Sequence, residues 1–261
     1  TVGSRLIKFD AATALRRRGV HAVVPIDGGL GAVAETTWAA RQALNDAAPQ
    51  FAPATGMAES SASIAADLRR MLQASADPSA THAADENLPP SRLSASMADE
   101  VDASFAAASR KFDVIYEVPM LAHACMEPMN AAALVKDGQC TLWVGTQNQS
   151  QDVNMVAAAL GIKPENVTLH TQFLGGGFGR RASTTSDFTL EAAQVANGVG
   201  RPVHVVWTRE DDMRGGYYRP YSVSRVRAGI SADGKGIAYH QTVVGKSILK
   251  NSVIGKPILD K

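Results

Sequence analysis

The stretch Thr171-Gln-Phe-Leu-Gly-Gly-Gly-Phe-Gly-Arg-Arg181 decides how the rest of this sequence is interpreted. Four glycines surround one aromatic residue, an apolar run over 167–174 precedes them, and a helical pattern begins near Ser183. Glycine tolerates positive φ and lets the backbone approach a ligand closely, so such a run forms either a tight strand-to-helix turn or a ligand cradle. Exposed amides beside a helix N-terminus and two arginines suit an anionic group. Composition alone leaves both interpretations open.

The glycine run does not match the two commonest phosphate-binding motifs. A P-loop requires a lysine followed by serine or threonine, and here Arg180 and Arg181 follow the glycines. A dinucleotide fingerprint requires G-x-G-x-x-G, and counting from Gly175 and Gly177 places Arg180 at the third glycine position. If the stretch is a cradle, it therefore serves a less common ligand.

Composition excludes several classes of function. The 261 residues carry a net charge of +1 with 20% charged residues, which gives no reason to expect a nucleic-acid partner. No apolar run reaches the roughly 18 residues of a membrane span. The two cysteines, Cys125 and Cys140, are too few for a disulfide scaffold, and each is predicted to be a buried free thiol, although a bridge between them stays open. The first residues carry no signal-peptide pattern, and we expect the sequence to be part of a longer one.

The patterns predict an α+β fold with mixed sheets and flanking helices, in three segments. Residues 1–48 follow a β-α-β-α pattern. Residues 49–110 are rich in small and polar residues and prolines, and form a predicted linker with two short helices. Residues 111–261 show the alternation of β-strands interrupted by helical periods.

Within the third segment, two strand pairs and one buried strand are predicted. A hairpin joins 131–135 to 140–145 across Lys136-Asp-Gly, and a second pair joins 221–230 to 236–245. Gly161 is placed to end the helix over 152–160. The nearly continuous apolar run within 201–208 predicts an interior strand close to the strand that leads into the glycine loop.

Several separated motifs, in the same order, resemble one known family. Gln147-Asn148, the helix to Leu160, the strand from Val167 and Gly-Gly-Gly-Phe-Gly resemble the molybdenum-binding subunit of the xanthine dehydrogenase and aldehyde oxidase family. Ala122-His-Ala-Cys-Met-Glu-Pro-Met-Asn130 is similar to the branch that contains isoquinoline 1-oxidoreductase and the periplasmic aldehyde dehydrogenases. The stretch 201–213 and Arg219-Pro-Tyr221 also agree. The resemblance spans roughly 112–245, and residues 1–48 resemble the end of an α/β hammerhead domain before a molybdopterin-binding domain.

The resemblance implies a molybdenum cofactor held without any protein ligand to the metal. In this family the metal is bound by the dithiolene of a molybdopterin, in bacteria usually as the cytosine dinucleotide, so the protein positions it by hydrogen bonds and shape. The implied cofactor-binding residues are Gly176, Gly177, Phe178 and Gly179 with Arg180, together with Gln147. The Gln147 amide would contact the oxo ligand, because a neutral donor can bind an oxo group without adding charge.

Each of these residues also has a plain structural interpretation. Gln147 is of a type that often ends a strand, and Phe178 is of a type that often fills a core. Arg180 and Arg181 are expected to be solvated or paired to acids such as Asp187. His123 and Glu127 are predicted to form a buried structural pair rather than a catalytic one.

The resemblance implies oxidation of aldehydes or N-heterocycles with water-derived oxygen, with electrons passed to [2Fe–2S] clusters on a small partner subunit. A flavin or cytochrome c subunit would be a further partner, and the branch implies the periplasm. Purines are disfavoured, because Arg181 and Ala182 replace the lysine and glutamate of purine-oxidising members.

The family's catalytic glutamate has no counterpart before Lys261, so we expect no catalytic residue here and a dependence on the remainder of the large subunit or a second chain. Such a chain would also cover the apolar run 247–259, which is predicted to be strand-like. The competing interpretation is a structural or assembly piece whose glycine turn holds no cofactor.

Overall fold

The computed structural model describes residues 4–52, 60–74 and 95–245. The predicted strand-like run over 247–259 lies outside these residues. The described part forms two compact units by contacts. One contains the described residues of 1–57 together with Ala122–Tyr218, and the other contains those of 58–121 and 219–261. The units are thus cut differently from the segments 1–48, 49–110 and 111–261, which stay a prediction.

The secondary structure comprises both helices and strands throughout. The helices are α1 Ala11–Leu15, α2 Thr37–Ala47, α3 Ser61–Ala74, α4 Ala95–Ala107, α5 Gln149–Leu160, α6 Asp187–Val199 and α7 Arg209–Gly215. The strands are β1 Arg5–Lys8, β2 Val20–Ile26, β3 Gly29–Ala34, β4 Gln50–Ala52, β5 Arg110–Val118, β6 Leu121–Ala122, β7 Asn130–Lys136, β8 Gln139–Val144, β9 Val167–Thr171, β10 Val203–Val206, β11 Tyr218–Arg219, β12 Ser222–Ile230 and β13 Gly236–Gly245. This is the predicted α+β architecture.

Residues 4–52 belong to the first unit and have the order β1-α1-β2-β3-α2-β4, so the predicted β-α-β-α pattern holds except that two strands, β2 and β3, separate the helices and a short strand follows α2. Strands β2 and β3 pair antiparallel. Helices α1 and α2 are capped at their N-termini by Asp10 and Thr36, whose side-chain oxygens accept hydrogen bonds from backbone amides three residues later. Helix α6 packs so closely on β2 that a Cβ at Gly198 would lie 2.6 Å from Val24. This contact requires glycine and fixes the helix that follows the glycine loop.

A four-stranded mixed sheet in the order β10-β7-β8-β9 carries the site. Strands β10, β7 and β8 are antiparallel, and β8 and β9 are parallel. The predicted hairpin is confirmed, and its turn residues Asp137 and Gly138 both have positive φ, as a tight hairpin turn requires. Gly161 ends α5 in the left-handed conformation, also as expected. Leu142, Val144, Val156 and Phe188 are among the buried residues of this unit's core.

The prediction of an interior strand over 201–208 is wrong. Strand β10 pairs only with β7 among the described strands and lies at the edge opposite β9. Val203 and Val205 pack on the core, whereas Val206 is 40% exposed. The apolar run suggested a strand buried on both faces because valine also occupies a position on the exposed face. The sequence therefore does not show the alternation of buried and exposed residues that the strand has.

The second unit is an antiparallel sheet in the order β13-β12-β5. The predicted pairing of the two long strands is confirmed, with Arg227 opposite His240. Leu68 and Leu72 of α3 bury Val223 on one face. Arg225 pairs with Asp113 across the neighbouring strands at 2.6 Å.

The two cysteines have the state that the sequence predicts. Cys125 and Cys140 are both buried free thiols, so no bridge joins them. No helix in the described ranges is long and apolar enough to cross a membrane.

Candidate functional site

The glycine loop connects β9 to α6 and adopts a conformation that depends on glycine at two positions. Gly176 and Gly179 have φ of 97° and 91°, which L-residues rarely adopt. Phe178 is itself left-handed, with φ of 52°. The Arg180 amide donates to the Gly177 carbonyl at 2.8 Å, and the Ala182 amide donates to the Gly179 carbonyl at 3.0 Å. These bonds close a short 3-10 turn and turn the chain toward α6.

The side chain of Gln147 lies directly on this loop. Its Oε1 accepts a hydrogen bond from the Gly179 amide at 3.1 Å. A Cβ at Gly177 would lie 2.4 Å from the same oxygen. The φ of Gly177 is outside the left-handed region, so glycine is needed there for space rather than for conformation. The structure therefore brings Gln147 against Gly177 and Gly179, which lie far from it in the sequence.

The loop and Gln147 present hydrogen-bond donors without protein acceptors. The amides of Gly176, Gly177 and Phe178 donate to no residue in the described ranges, and neither does Nε2 of Gln147. A Cβ at Gly179 would meet no atom within 4 Å, so the space beside it is open. Backbone and neutral amide donors of this kind suit oxo, phosphate and pterin oxygen atoms. These residues therefore fit the cofactor that the sequence predicted.

Phe178 does not fill the core, so that interpretation is wrong. Its side chain is 74% exposed although its backbone is left-handed. A non-glycine residue in that region costs roughly 1–3 kcal/mol, and such strain is concentrated at functional sites. The conformation exposes the ring on the surface of the loop.

Arg180 points into the protein. It is 3% exposed, donates to both carboxylate oxygens of Asp187 at 3.2 and 2.7 Å, and lies over the Trp207 ring at 5.3 Å. The expected pairing with Asp187 is confirmed. Contact of Arg180 with the cofactor stays a prediction, and the guanidinium itself is directed toward Asp187 and Trp207.

Sequence reasoning missed the role of Arg181. Its buried guanidinium is paired to an acid, as one of the expectations had it, but the partner is Glu127 at 2.6 Å and not Asp187. The same Glu127 oxygen accepts from the Gly175 amide at 2.9 Å. The predicted pair of His123 and Glu127 is therefore wrong, since His123 Nδ1 is buried without a partner in the described residues. The signal was present, because Glu127 and Arg181 lie in the two most specific motifs of the sequence.

Burial and hydrogen bonding oppose each other at Glu127, whereas burial dominates at Cys125. Burial raises the pKa of Glu127, but the Gly175 amide, Asn130 and Arg181 together lower that pKa below its ordinary value. Cys125 lies behind the loop, where its thiol donates to the Gly177 carbonyl at 3.5 Å. Burial raises the pKa of this thiol, which stays protonated as a donor at neutral pH.

Glu191 of α6 is a second half-buried acid near the loop. Its Oε2 accepts a hydrogen bond from the Trp207 indole at 2.6 Å. Burial raises the pKa of Glu191 to about 7, opposed by the Trp207 hydrogen bond and reinforced by the charge of Asp187. Trp207 thus joins this carboxyl group to Arg180.

We expect Glu191→Gln to remove a pH dependence of stability. Between pH 4.5 and about 7, the folded protein retains a proton that the unfolded chain has released. The free energy of unfolding therefore falls as pH rises, by roughly 3 kcal/mol at most. Urea unfolding at pH 5 and pH 8 should show this fall in the parent protein and a flatter profile in the variant. Glu165→Gln, at an exposed position, is the control, and an unchanged slope in Glu191→Gln would contradict the assignment.

The sequence of this chain is similar to those of known proteins. The sequence profile of the family described as the molybdopterin cofactor-binding domain matches residues 84–247. Isoquinoline 1-oxidoreductase subunit beta of Brevundimonas diminuta is 34% identical over 139 residues, which cover 52% of this chain and 17% of that protein. The aldehyde oxidoreductase molybdenum-binding subunit of Escherichia coli strain K12 is 32% identical over 149 residues, 57% of this chain and 20% of that protein. The matched regions thus span about a fifth of these relatives.

Solved structures share the fold. The aldehyde oxidoreductase of Desulfovibrio gigas superposes with a TM-score of 0.60 at 19% identity, covering 92% of this chain and 29% of that one. Quinoline 2-oxidoreductase of Pseudomonas putida 86 gives a TM-score of 0.57, also at 19% identity, with coverages of 92% and 34%. At these identities the likeness concerns the fold alone.

Proposed function

We propose that this chain, which belongs to the family of molybdopterin cofactor-binding domain proteins, is part of a molybdenum hydroxylase large subunit. In this proposal it contributes one wall of the cofactor site to an enzyme that oxidises aldehydes or N-heterocycles. The relatives named above carry such activities in their names.

One observation carries the proposal: a row of backbone donors without acceptors in the described residues lies beside Gln147, in a loop that is open at Gly179. Three consecutive amides, from Gly176 to Phe178, have no acceptor in the described residues, and the Gln147 side chain lies against the same loop. A simple strand-to-helix turn needs neither the close approach of Gln147 to Gly177 nor an exposed aromatic ring. Both features are expected where a backbone receives a ligand.

The residues of this chain bind and orient the cofactor in the proposed site. When bound, a molybdenum–pterin cofactor supplies two-electron redox chemistry and the means to hydroxylate carbon with oxygen derived from water. The amides of Gly177 and Phe178 would donate to its oxygen atoms, and Nε2 of Gln147 would add a neutral donor. Because these donors are fixed by the fold, they need no reorganisation when the substrate reacts.

The finer features of the proposal follow from the same resemblance. The cofactor is the cytosine dinucleotide form of molybdopterin, and electrons pass to [2Fe–2S] clusters on a small partner subunit. A flavin or cytochrome c subunit is the candidate for the next acceptor, and the compartment is the periplasm. Purines are disfavoured as substrates, because Ala182 supplies no carboxylate to bind them.

Metal and pterin analysis of the purified protein tests the proposal. The protein is purified with its associated polypeptides from its own host. Molybdenum is measured by mass spectrometry and the pterin nucleotide by fluorescence after oxidation. We expect both in equal amounts, and turnover of aromatic aldehydes with an artificial electron acceptor. The matched control is the same purification from a strain that cannot make the pterin.

Absence of both molybdenum and pterin from the intact complex would contradict the proposal and favour a structural or assembly role. Cofactor without turnover of aldehydes or N-heterocycles would retain the binding role and overturn the proposed substrate class.

A further inference from the structure

Arg181 is a fully buried cation that donates to three backbone carbonyls and one carboxylate around the candidate site. Its side chain is 0% exposed. Nε donates to the Gly176 carbonyl at 3.0 Å, Nη1 to the Gly145 carbonyl at 3.1 Å, and Nη2 to the Glu127 carbonyl at 3.0 Å. Nη2 also bonds the Glu127 carboxylate at 2.6 Å. A buried guanidinium requires such compensation, and here one residue joins three separate chain segments.

The backbone of Arg181 extends the same connection to Gln147. Its carbonyl accepts from the Gln147 amide at 3.0 Å and from the Thr146 hydroxyl at 3.2 Å. Arg181 therefore holds both the glycine loop and the backbone of Gln147, whose side chain lies on that loop. Both parts of the donor row depend on it.

The direction of the three free amides follows from what their neighbouring carbonyls bind. In a trans peptide the carbonyl and the following N–H point in opposite directions. The Gly176 carbonyl is held by Arg181, so the Gly177 N–H points away from the Arg181 guanidinium. The Gly175 carbonyl accepts from the Glu127 amide at 3.2 Å, which directs the Gly176 N–H away from the Glu127 backbone in the same way.

The third amide follows the same rule. The Gly177 carbonyl accepts from the Arg180 amide and from the Cys125 thiol, so the Phe178 N–H points away from both of these groups. Arg181 thus orients the Gly177 N–H, and the backbone amide of Glu127 orients the Gly176 N–H. The Glu127 carboxylate in turn holds the guanidinium of Arg181.

We propose that Arg181 and Glu127 are positioning residues that preset the amides of the loop for the oxygen atoms of the cofactor. This inference rests on the proposed function, and neither side chain need touch the cofactor. It predicts that weakening the pair loosens the cofactor before it unfolds the protein.

Arg181→Lys is the main test, because lysine keeps the charge but not the planar set of donors. A single ammonium cannot bond Gly176, Gly145 and Glu127 with the geometry of a guanidinium. Losing the charge-assisted bond to the Gly176 carbonyl should raise the dissociation rate of the cofactor about tenfold. The holo-complex is assayed for molybdenum and pterin retained over time after gel filtration, with thermal unfolding measured in parallel. Arg201→Lys, at an exposed position, is the matched control.

Hydrogen exchange of the peptide 172–182 gives a readout besides cofactor content. We expect faster exchange there in Arg181→Lys than in the control, with other peptides of the same unit unchanged. A purely structural role would instead lower the midpoint of thermal unfolding without changing cofactor dissociation in the protein that remains folded.

Glu127→Gln serves as the second variant and decides the matter if Arg181→Lys does not fold. It removes the counter-charge of Arg181 while keeping an oxygen for the Gly175 amide, so faster cofactor loss is again expected. If the parent complex contains cofactor and the folded variants retain it at the parent's rate, the positioning role is wrong. If the parent complex contains no cofactor, the proposed function fails instead, so the two failures are distinguishable.

Discussion

Replacing Gly177 by valine is expected to empty the cofactor site while the protein remains folded. A Cβ at this position would lie 2.4 Å from Oε1 and 2.6 Å from Cδ of Gln147, so the glutamine side chain must move away. That movement breaks its bond to the Gly179 amide and removes a donor from the site. Molybdenum content should fall to about a tenth of the parent's or less, since each lost 1.4 kcal/mol of binding is a factor of ten. Metal analysis with circular dichroism measures both halves of this prediction.

The matched control is Gly236→Val. Gly236 also has φ outside the left-handed region, and a Cβ there would meet no atom within 4 Å. Its substitution should leave molybdenum content unchanged. Full occupancy in folded Gly177→Val would mean that Gln147 and the loop do not form the site.

The sequence predicted the local features of this protein because their causes are local. Asp137 and Gly138 favour a tight turn between two β-patterned runs, and Gly161 favours the end of a helix. The identity of the loop was also accessible, because several motifs occurred in a fixed order. The turn and the helix end depend on residues within a few positions of one another, and each motif is itself a short stretch of sequence.

The features that escaped prediction depend on residues far apart in the chain. In the sequence, Gly177 is expected to be needed for its backbone conformation. In the structure it is needed for space, because Gln147, 30 positions earlier in the chain, lies against it. Arg181 has no visible partner until the fold brings Glu127 beside it. The edge position of β10 depends on which strands pair. Strand β9 pairs in parallel with β8 and so occupies the place in the sheet that was expected for β10. Pairing of this kind is set by the whole sheet rather than by a run of valines.

Asp187→Asn is expected to destabilise the first unit by about 3–5 kcal/mol, because it leaves a buried cation without its counter-charge. The Arg180 side chain is 2% exposed and Asp187 is 17% exposed, so water cannot replace the lost carboxylate. The stacking of Arg180 on Trp207 remains but supplies no compensating charge. The change in the midpoint of urea unfolding measures the loss. Asp46→Asn breaks the more exposed pair with Arg17 in the same unit and should cost far less stability, because water can solvate both groups.

A double variant separates the structural role of Arg180 from a role in binding. Replacing a buried ion pair by apolar residues of similar size is often neutral or stabilising, so Arg180→Met with Asp187→Leu should regain most of the stability lost in Asp187→Asn. The backbone amide of residue 180 still donates to the Gly177 carbonyl in this variant, so the loop can keep its shape. Because the guanidinium points toward Asp187 and Trp207, we expect the stable double variant to retain its molybdenum. A stable double variant that has lost its molybdenum would instead show that the guanidinium turns toward the cofactor in the complex.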